Sequence, residues 1–192
     1  MRYFLIDKPY GTLSQFTREL PEHRTLADLY DFPANVYPVG RLDRDSEGLL
    51  LLTDDKALNH KLLNPAFAHR RTYWVQVEGV PDKLALAELA AGPPIRIKGK
   101  CHESLPLAVE AIAPALAPRN PPVRKRKTVA DSWLALTLTE GKNRQVRRMC
   151  AAVGHPVLRL LRYSIEEVTL DDLSGETVRE VKKDWLQKRL RI

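Results

Sequence analysis

Cysteine is nearly absent: Cys101 and Cys150 are the two in 192 residues. So sparse a set excludes a disulfide framework, and neither has a second cysteine close enough to form a metal knuckle. No apolar run approaches the roughly 18 residues that a membrane span needs. The start, MRYFLIDKPYG, meets Asp7 and Lys8 too soon for a signal peptide, so a cytoplasmic protein is expected. No phosphate-cradling glycine loop of the P-loop or dinucleotide-binding kind occurs, and no serine sits in a GxSxG elbow. His23, His60, His69, His102 and His155 are scattered, and the adjacent Cys101 and His102 lack ligand spacing. Neither a metal nor a cofactor is expected, and no internal repeat is visible.

What is abundant is positive charge. The formal net charge is +7 and the isoelectric point lies near 9.5, which calls for a polyanionic partner. A membrane surface suits the chain less well than nucleic acid, because no basic helix carries a wide apolar face of Trp, Phe and Leu. Hydrophobic residues at 44% and charged residues at 29% are ordinary for a globular protein. The length suits one domain, residues 1–192, in two joined halves.

Periodicity places the elements. RYFLI reads as a first strand, TLADLYDF as a short helix ending at Pro33, and GLLLLT as a strand buried on both faces. Thr53 or Asp54 caps a helix through KALNHKLLN, which stops before Pro65. In TYWVQVEG, Tyr73, Val75 and Val77 alternate with Trp74, Gln76 and Glu78, the pattern of a half-buried strand. PDKLALAELAAGPP is a helix with a proline start and a Gly-Pro-Pro stop. IRIK, LAVEAIA and WLALTLT are strands, the last with Leu134, Leu136 and Leu138 towards the core. The prolines of APALAPRNPPVRKRK exclude regular structure and leave an exposed basic loop. Strands at VLRLLRYSI, EEVTL and ETVREV precede a basic terminal helix. Most connections are too short for parallel crossovers, so the fold class is α+β, a mixed, mainly antiparallel sheet flanked by helices. No free apolar stripe is evident, and a monomer is expected.

Two segments carry the chemistry. In VGRLDRDSEGLLLLT a densely charged turn runs into four leucines, so ionisable groups are held at the lip of the core. Charges there are costly unless paired, and Asp43 is the one for which a partner is sought. Taken bare, GRLD reads as a turn-capping aspartate, as Asp45 and Asp54 do. The second segment is NRQVRRMCAAV. On a helix over residues 143–153, Val146, Met149, Cys150 and Val153 form an apolar stripe, while Arg144, Arg147 and Arg148 share an adjoining face. Lys142 adds a fourth charge at the helix start, where cations are mildly unfavourable unless an anion is bound. Arg159, Arg162 and the run Arg124, Lys125, Arg126 and Lys127 add more, and Tyr73 and Tyr163 offer rings for stacking on unpaired bases. Gly40, Gly48 and Gly141 suit tight turns or close approach of RNA backbone.

KPYGTLSQF, GRLDRDSEGLLLLT, RRTYWVQVEG and EGKNRQVRRM stand in the order and approximate spacing of the RNA pseudouridine synthases, and the chain resembles that family over nearly its whole length. Within the family the likeness is to the branch that modifies ribosomal RNA at single sites, nearest to its large-subunit members. The resemblance implies two half-domains with an RNA cleft between them, and isomerisation of one uridine of 23S ribosomal RNA to pseudouridine without cofactor or metal. It assigns Asp43 as the catalytic aspartate, Arg147 as its basic partner and Tyr73 as the residue packing against the target base. Arg41 matches the arginine that fills the gap left by the flipped nucleotide. Arg44, Lys142, Arg144, Arg148 and the basic loop are the expected RNA contacts. Many relatives carry an N-terminal S4-type domain; none is expected here, which leaves target selection to the loops and the basic face.

The residue types suit this chemistry. A base inside a stack must be extruded before it can be rearranged, at a cost of a few kcal/mol that phosphate contacts offset. One carboxylate must stay ionised in a dry pocket, and an arginine serves that better than a lysine because it holds its proton and engages the acid bidentately. Whether Asp43 attacks C1′, attacks C6 or acts through a glycal, and whether Asp43, Tyr73 or water removes the C5 proton, stays open at this level. The alternatives are a non-catalytic RNA-binding or ribosome-assembly factor on the same fold, and a synthase for small-subunit ribosomal RNA or transfer RNA.

Overall fold

The computed structural model describes residues 1–124, 126 and 128–192. In chain order its elements are strands β1 (Tyr3–Lys8), β2 (Tyr37–Pro38) and β3 (Glu47–Thr53), helix α1 (Lys56–Leu63), strand β4 (Arg71–Glu78) and helix α2 (Lys83–Ala91). Strands β5 (Ile95–Ile97), β6 (Lys100–His102), β7 (Ala108–Ile112) and β8 (Asp131–Leu138) follow, then helix α3 (Gln145–Ala152). Strands β9 (Val157–Ile165), β10 (Val168–Thr169) and β11 (Val178–Glu180) and helix α4 (Lys183–Leu190) complete the order. They form two units, residues 1–69 with 161–192 and residues 70–160. β9 starts in the second and ends in the first.

In the first unit β1 runs antiparallel to β3 in full register, Tyr3 opposite Thr53 and Lys8 opposite Gly48. β11 adds antiparallel to β1, while β9 joins β3 in parallel, Gly48 opposite Arg162. Every residue of β3 is buried, as the leucine run requires of a strand covered on both sides. Leu49 and Leu51 meet Leu5, Leu58, Leu62, Leu186 and Leu190. Phe4 instead faces an aromatic group, with Phe32 edge-on at 5.4 Å and Tyr30 at 6.0 Å. Those rings explain one departure from expectation. The helix foreseen in TLADLYDF is a single 3-10 turn, Leu26–Asp28. The Asp28 carboxylate accepts from the Thr25 amide and closes it, and Tyr30 and Phe32 leave the helical path to pack on Phe4.

The cap of α1 is also corrected. It is Asp55, which accepts from the amides of Ala57 and Leu58 at 3.0 and 3.1 Å. The two expected caps are committed to the start of β1: the Thr53 hydroxyl donates to the Arg2 carbonyl, and Asp54 accepts from the Arg2 amide. Burial pushes the Asp55 carboxyl up, but the Leu58 amide, the Tyr3 hydroxyl and the Ala57 amide outweigh it and leave it low.

In the second unit β4, β8 and β7 form an antiparallel meander, with Tyr73 opposite Leu136 and Gln76 opposite Trp133. Val75, Val77, Leu134, Leu136 and Leu138 build the core against Val146, Met149 and Cys150 of α3. β5 and β6 make a small separate hairpin, whose second strand the sequence reading did not foresee. The expected alternation of β4 holds on the core side only. Gln76, on the other face, is 5% exposed, because the loop after β7 lies over it.

Candidate active site

In the first unit the charged turn is tied to the segment that follows β1. The Ser14 hydroxyl donates to the Leu42 carbonyl at 2.8 Å and accepts from the Leu42 amide at 3.0 Å. The Gly11 amide donates to the Arg44 carbonyl at 2.8 Å, and Arg44 Nε returns to the Gly11 carbonyl at 3.3 Å. The Ser46 amide donates to the Asp43 carbonyl and closes a four-residue turn. Asp43 is thereby presented half-buried at the lip of β3, between Arg41 and Arg44, which are exposed. Arg41 reaches Gln15 Oε1 at 3.3 Å.

Lys8 is the residue here that the sequence reading passed over. It is fully buried, and its ammonium donates to the carbonyls of Pro9 at 3.0 Å and Thr12 at 2.7 Å. Burial drives its pKa down to about 8, against the pull of Glu47, Asp45, Asp43 and Asp7. A cation is thus built into the core side of the acidic turn, holding the KPYG segment by its backbone. The available signal was a lysine closing a strand that is otherwise apolar but for Asp7, just before a proline.

Gly48, expected to serve a turn or an RNA backbone, answers to the protein's own chain. Its φ is +100°, and a Cβ there would lie 2.4 Å from the Arg162 carbonyl oxygen. Arg162 itself is 4% exposed, and its Nε donates to the Leu49 carbonyl at 2.8 Å, so it adds no surface charge. Tyr163 is half-buried, with its hydroxyl donating to Asp171 at 2.6 Å.

In the second unit Tyr73 packs partly buried against the cluster that contains Val146 and Met149, so it shares a face of the sheet with α3. The helix is shorter than expected. It begins at Gln145, because Arg144 takes the left-handed conformation with φ +51°, which an α-helix does not continue through. Of the basic face foreseen, Arg147 and Arg148 belong to the helix, whereas Lys142 and Arg144 lie exposed on the preceding loop. Arg148 donates to the carbonyls of Arg96 at 2.7 Å and Asn143 at 3.2 Å. Arg147 is half-buried one turn from its apolar neighbours. Burial pushes the Cys150 thiol up to about 12, with Arg147 pulling the other way.

The loop that carries α3 is fixed by Glu140, a second residue missed from sequence. One carboxylate oxygen accepts from the Leu105 amide at 2.8 Å and from Gln145 Nε2 at 2.5 Å, and the other lies 3.1 Å from His102 Nε2. Burial raises the Glu140 carboxyl, but these donors outweigh it and hold it low. Gln145 Oε1 in turn accepts from the Lys142 amide at 2.9 Å. Glu140 therefore sets where α3 starts, and with it the two helical arginines. Of the basic loop, Arg124 and Arg126 are exposed, and Arg126 sits 3.3 Å from Glu78 Oε1; Lys125 and Lys127 fall outside the described residues.

The family model for RNA pseudouridylate synthase matches residues 2–152. The ribosomal large subunit pseudouridine synthase E of Xanthomonas axonopodis pv. citri is 53% identical over 173 residues, 88% of each chain. Its namesake from Vibrio parahaemolyticus serotype O3:K6 is 48% identical over 181 residues, 94% of this chain and 74% of its own. A crystal structure of a pseudouridylate synthase superposes with a TM-score of 0.78 at 28% identity, covering 98% of this chain and 73% of that one. Fold and sequence together define an isomerase that rearranges uridine. The chain belongs to the RNA pseudouridylate synthase family.

Proposed function

We propose that the protein converts one uridine of large-subunit (23S) ribosomal RNA to pseudouridine, acting as a monomer in the cytoplasm. The observation that carries this reading is the 53% identity, over 88% of both chains, to a synthase named for the large subunit. In the reaction the bond from C1′ to N1 breaks, the ring turns, and C1′ bonds to C5; the C5 proton leaves and N1 gains one. The target nucleotide has to be extruded from its stack, which costs a few kcal/mol.

Asp43 supplies the carboxylate, Arg147 a guanidinium for the reaction, and Tyr73 the ring against which the uracil rests. Arg41 takes the place of the extruded base. Lys142, Arg144 and Arg148 meet phosphates, as do Arg44 and the basic loop. Three features support these roles: the half-buried setting of Asp43, the position of Tyr73 on the α3 side of its sheet, and the exposure of Lys142 and Arg144.

Mapping pseudouridines in ribosomal RNA from cells with and without the protein tests the target. One 23S position is expected to revert to uridine in its absence. Asp43→Asn is expected to abolish product formation by a factor of at least 1,000 (about 4 kcal/mol) while retaining RNA affinity within a few-fold. Unchanged 23S modification in the deletion strain would overturn the target, and an active Asp43→Asn protein would overturn the chemistry.

A further inference from the structure

The face of the second unit's sheet that points away from Tyr73 is not a plain solvated surface. Gln76 and Trp133 are directly opposed across β4 and β8, on the side opposite Tyr73, Val75 and Leu134. The loop joining β7 to β8 crosses this face. It encloses an open cavity of about 350 Å³ lined by Gln76, Trp133, Arg119, Arg159 and prolines that include Pro114 and Pro118. The volume falls at the lower end of the range of small-ligand sites.

The walls are set before any ligand arrives. Arg159 donates to the Ala117 carbonyl at 2.9 Å, which pins the loop to β9. Arg119 donates to the carbonyls of Pro121 and Pro122 at 2.8 and 3.1 Å. Prolines restrict the backbone, so little conformational freedom is left to lose on binding. The Gln76 amide is oriented by Asp131. Among the described residues, a half-buried indole, the Gln76 amide, two guanidinium groups and no carboxylate make up the polar and aromatic lining. Indole stacks on a nucleobase whatever its identity, and guanidinium groups meet phosphate.

We propose that this cavity is an accessory site for one unpaired nucleotide of the RNA substrate, seated on Trp133 with its phosphate at Arg119 and Arg159. The site lies across the β4–β8 sheet from Tyr73, so it would anchor RNA flanking the target and would not take part in the rearrangement. It rests on the reading of the protein as an RNA enzyme but not on the roles of Asp43 or Arg147.

The test uses the full chain and a fluorescently labelled six-nucleotide oligoadenylate, which contains no uridine and cannot be a substrate. Anisotropy titration is expected to show binding that Trp133→Leu weakens at least fivefold and Trp133→Phe largely preserves. Arg159→Ala is expected to weaken it about tenfold. Asp43→Asn should bind the probe like the wild type, so failure of the catalytic assignment and failure of this site give different results. In a Trp74→Phe, Trp185→Phe background the same probe should quench the fluorescence of Trp133. Equal affinity in the wild type and Trp133→Leu, with circular dichroism unchanged, would overturn the site, as would an unquenched Trp133. Should Arg159→Ala fail to fold, the Trp133 pair decides alone.

Discussion

Lys8 shows what a single buried charge does to this protein. Its ammonium is held by two carbonyls and faces an acidic turn, yet burial dominates and lowers its pKa from the ordinary 10.5 to about 8. Between these values the unfolded chain binds a proton that the folded chain does not, so the Lys8 contribution to stability rises with pH across the window. It is lost again as pH falls through 8. Urea denaturation at pH 7.5 and 9.5 checks this: the stability of the wild type minus that of Lys8→Met should grow between the two, and a constant difference would contradict it. The difference is needed because Cys150, raised to about 12, and Tyr3, also near 12, lose stability at the alkaline end in both proteins. Sequence singles out Asp43 as a candidate because its motif is dense and distinctive. It could not name Lys8 as buried, because lysine at a strand end is normally solvated and only the packing of residues 9–12 around it says otherwise.

The helix α3 illustrates the same limit one level up. Its apolar stripe was legible: Val146, Met149 and Cys150 are buried as their spacing requires. Its start was not, because Arg144 breaks the helix and the fixing group, Glu140, works through partners as distant in sequence as Leu105 and His102. Glu140→Ala removes the acceptor for all three donors and is expected to cost about 1–3 kcal/mol in urea denaturation. Because α3 carries Arg147, turnover should fall by more than RNA affinity does, whereas Glu140→Gln, which keeps one carbonyl oxygen, should recover most of both. Equal losses in turnover and affinity would place Glu140 in general folding alone. β6 escaped notice for a simpler reason: three mostly exposed residues after Lys98 and Gly99 carry no periodic apolar signal.

Across the molecule, the positive charge foreseen from composition is divided between structural and exposed uses. Arg162 and Arg148 serve backbone carbonyls, while Lys142, Arg144, Arg124 and Arg126 stand on the surface. In the ion pair of Arg126 with Glu78 the guanidinium is largely exposed, so the pair contributes little to stability. Replacing Arg124 and Arg126 with alanine should reduce the slope of log affinity against log salt by about one to two, at roughly 0.7–0.9 per lost phosphate contact. An unchanged slope would make the loop a bystander. The class of fold was readable because strands β1, β3, β4 and β8 keep clear patterns. The cover over Gln76 was not, since a proline-rich loop says only that it is irregular and not where it rests. The first unit is assembled from two separate stretches of chain, whereas the second is one continuous stretch. On the ribosome, residues 70–160 emerge whole while the start of β3, at Glu47 and Gly48, still waits for β9, and Leu49 and Leu51 wait for Leu186 and Leu190. Nascent protein therefore passes through a stage in which one half can close and the other displays uncovered leucine side chains, the kind of surface that chaperones bind and that aggregates when synthesis outruns them.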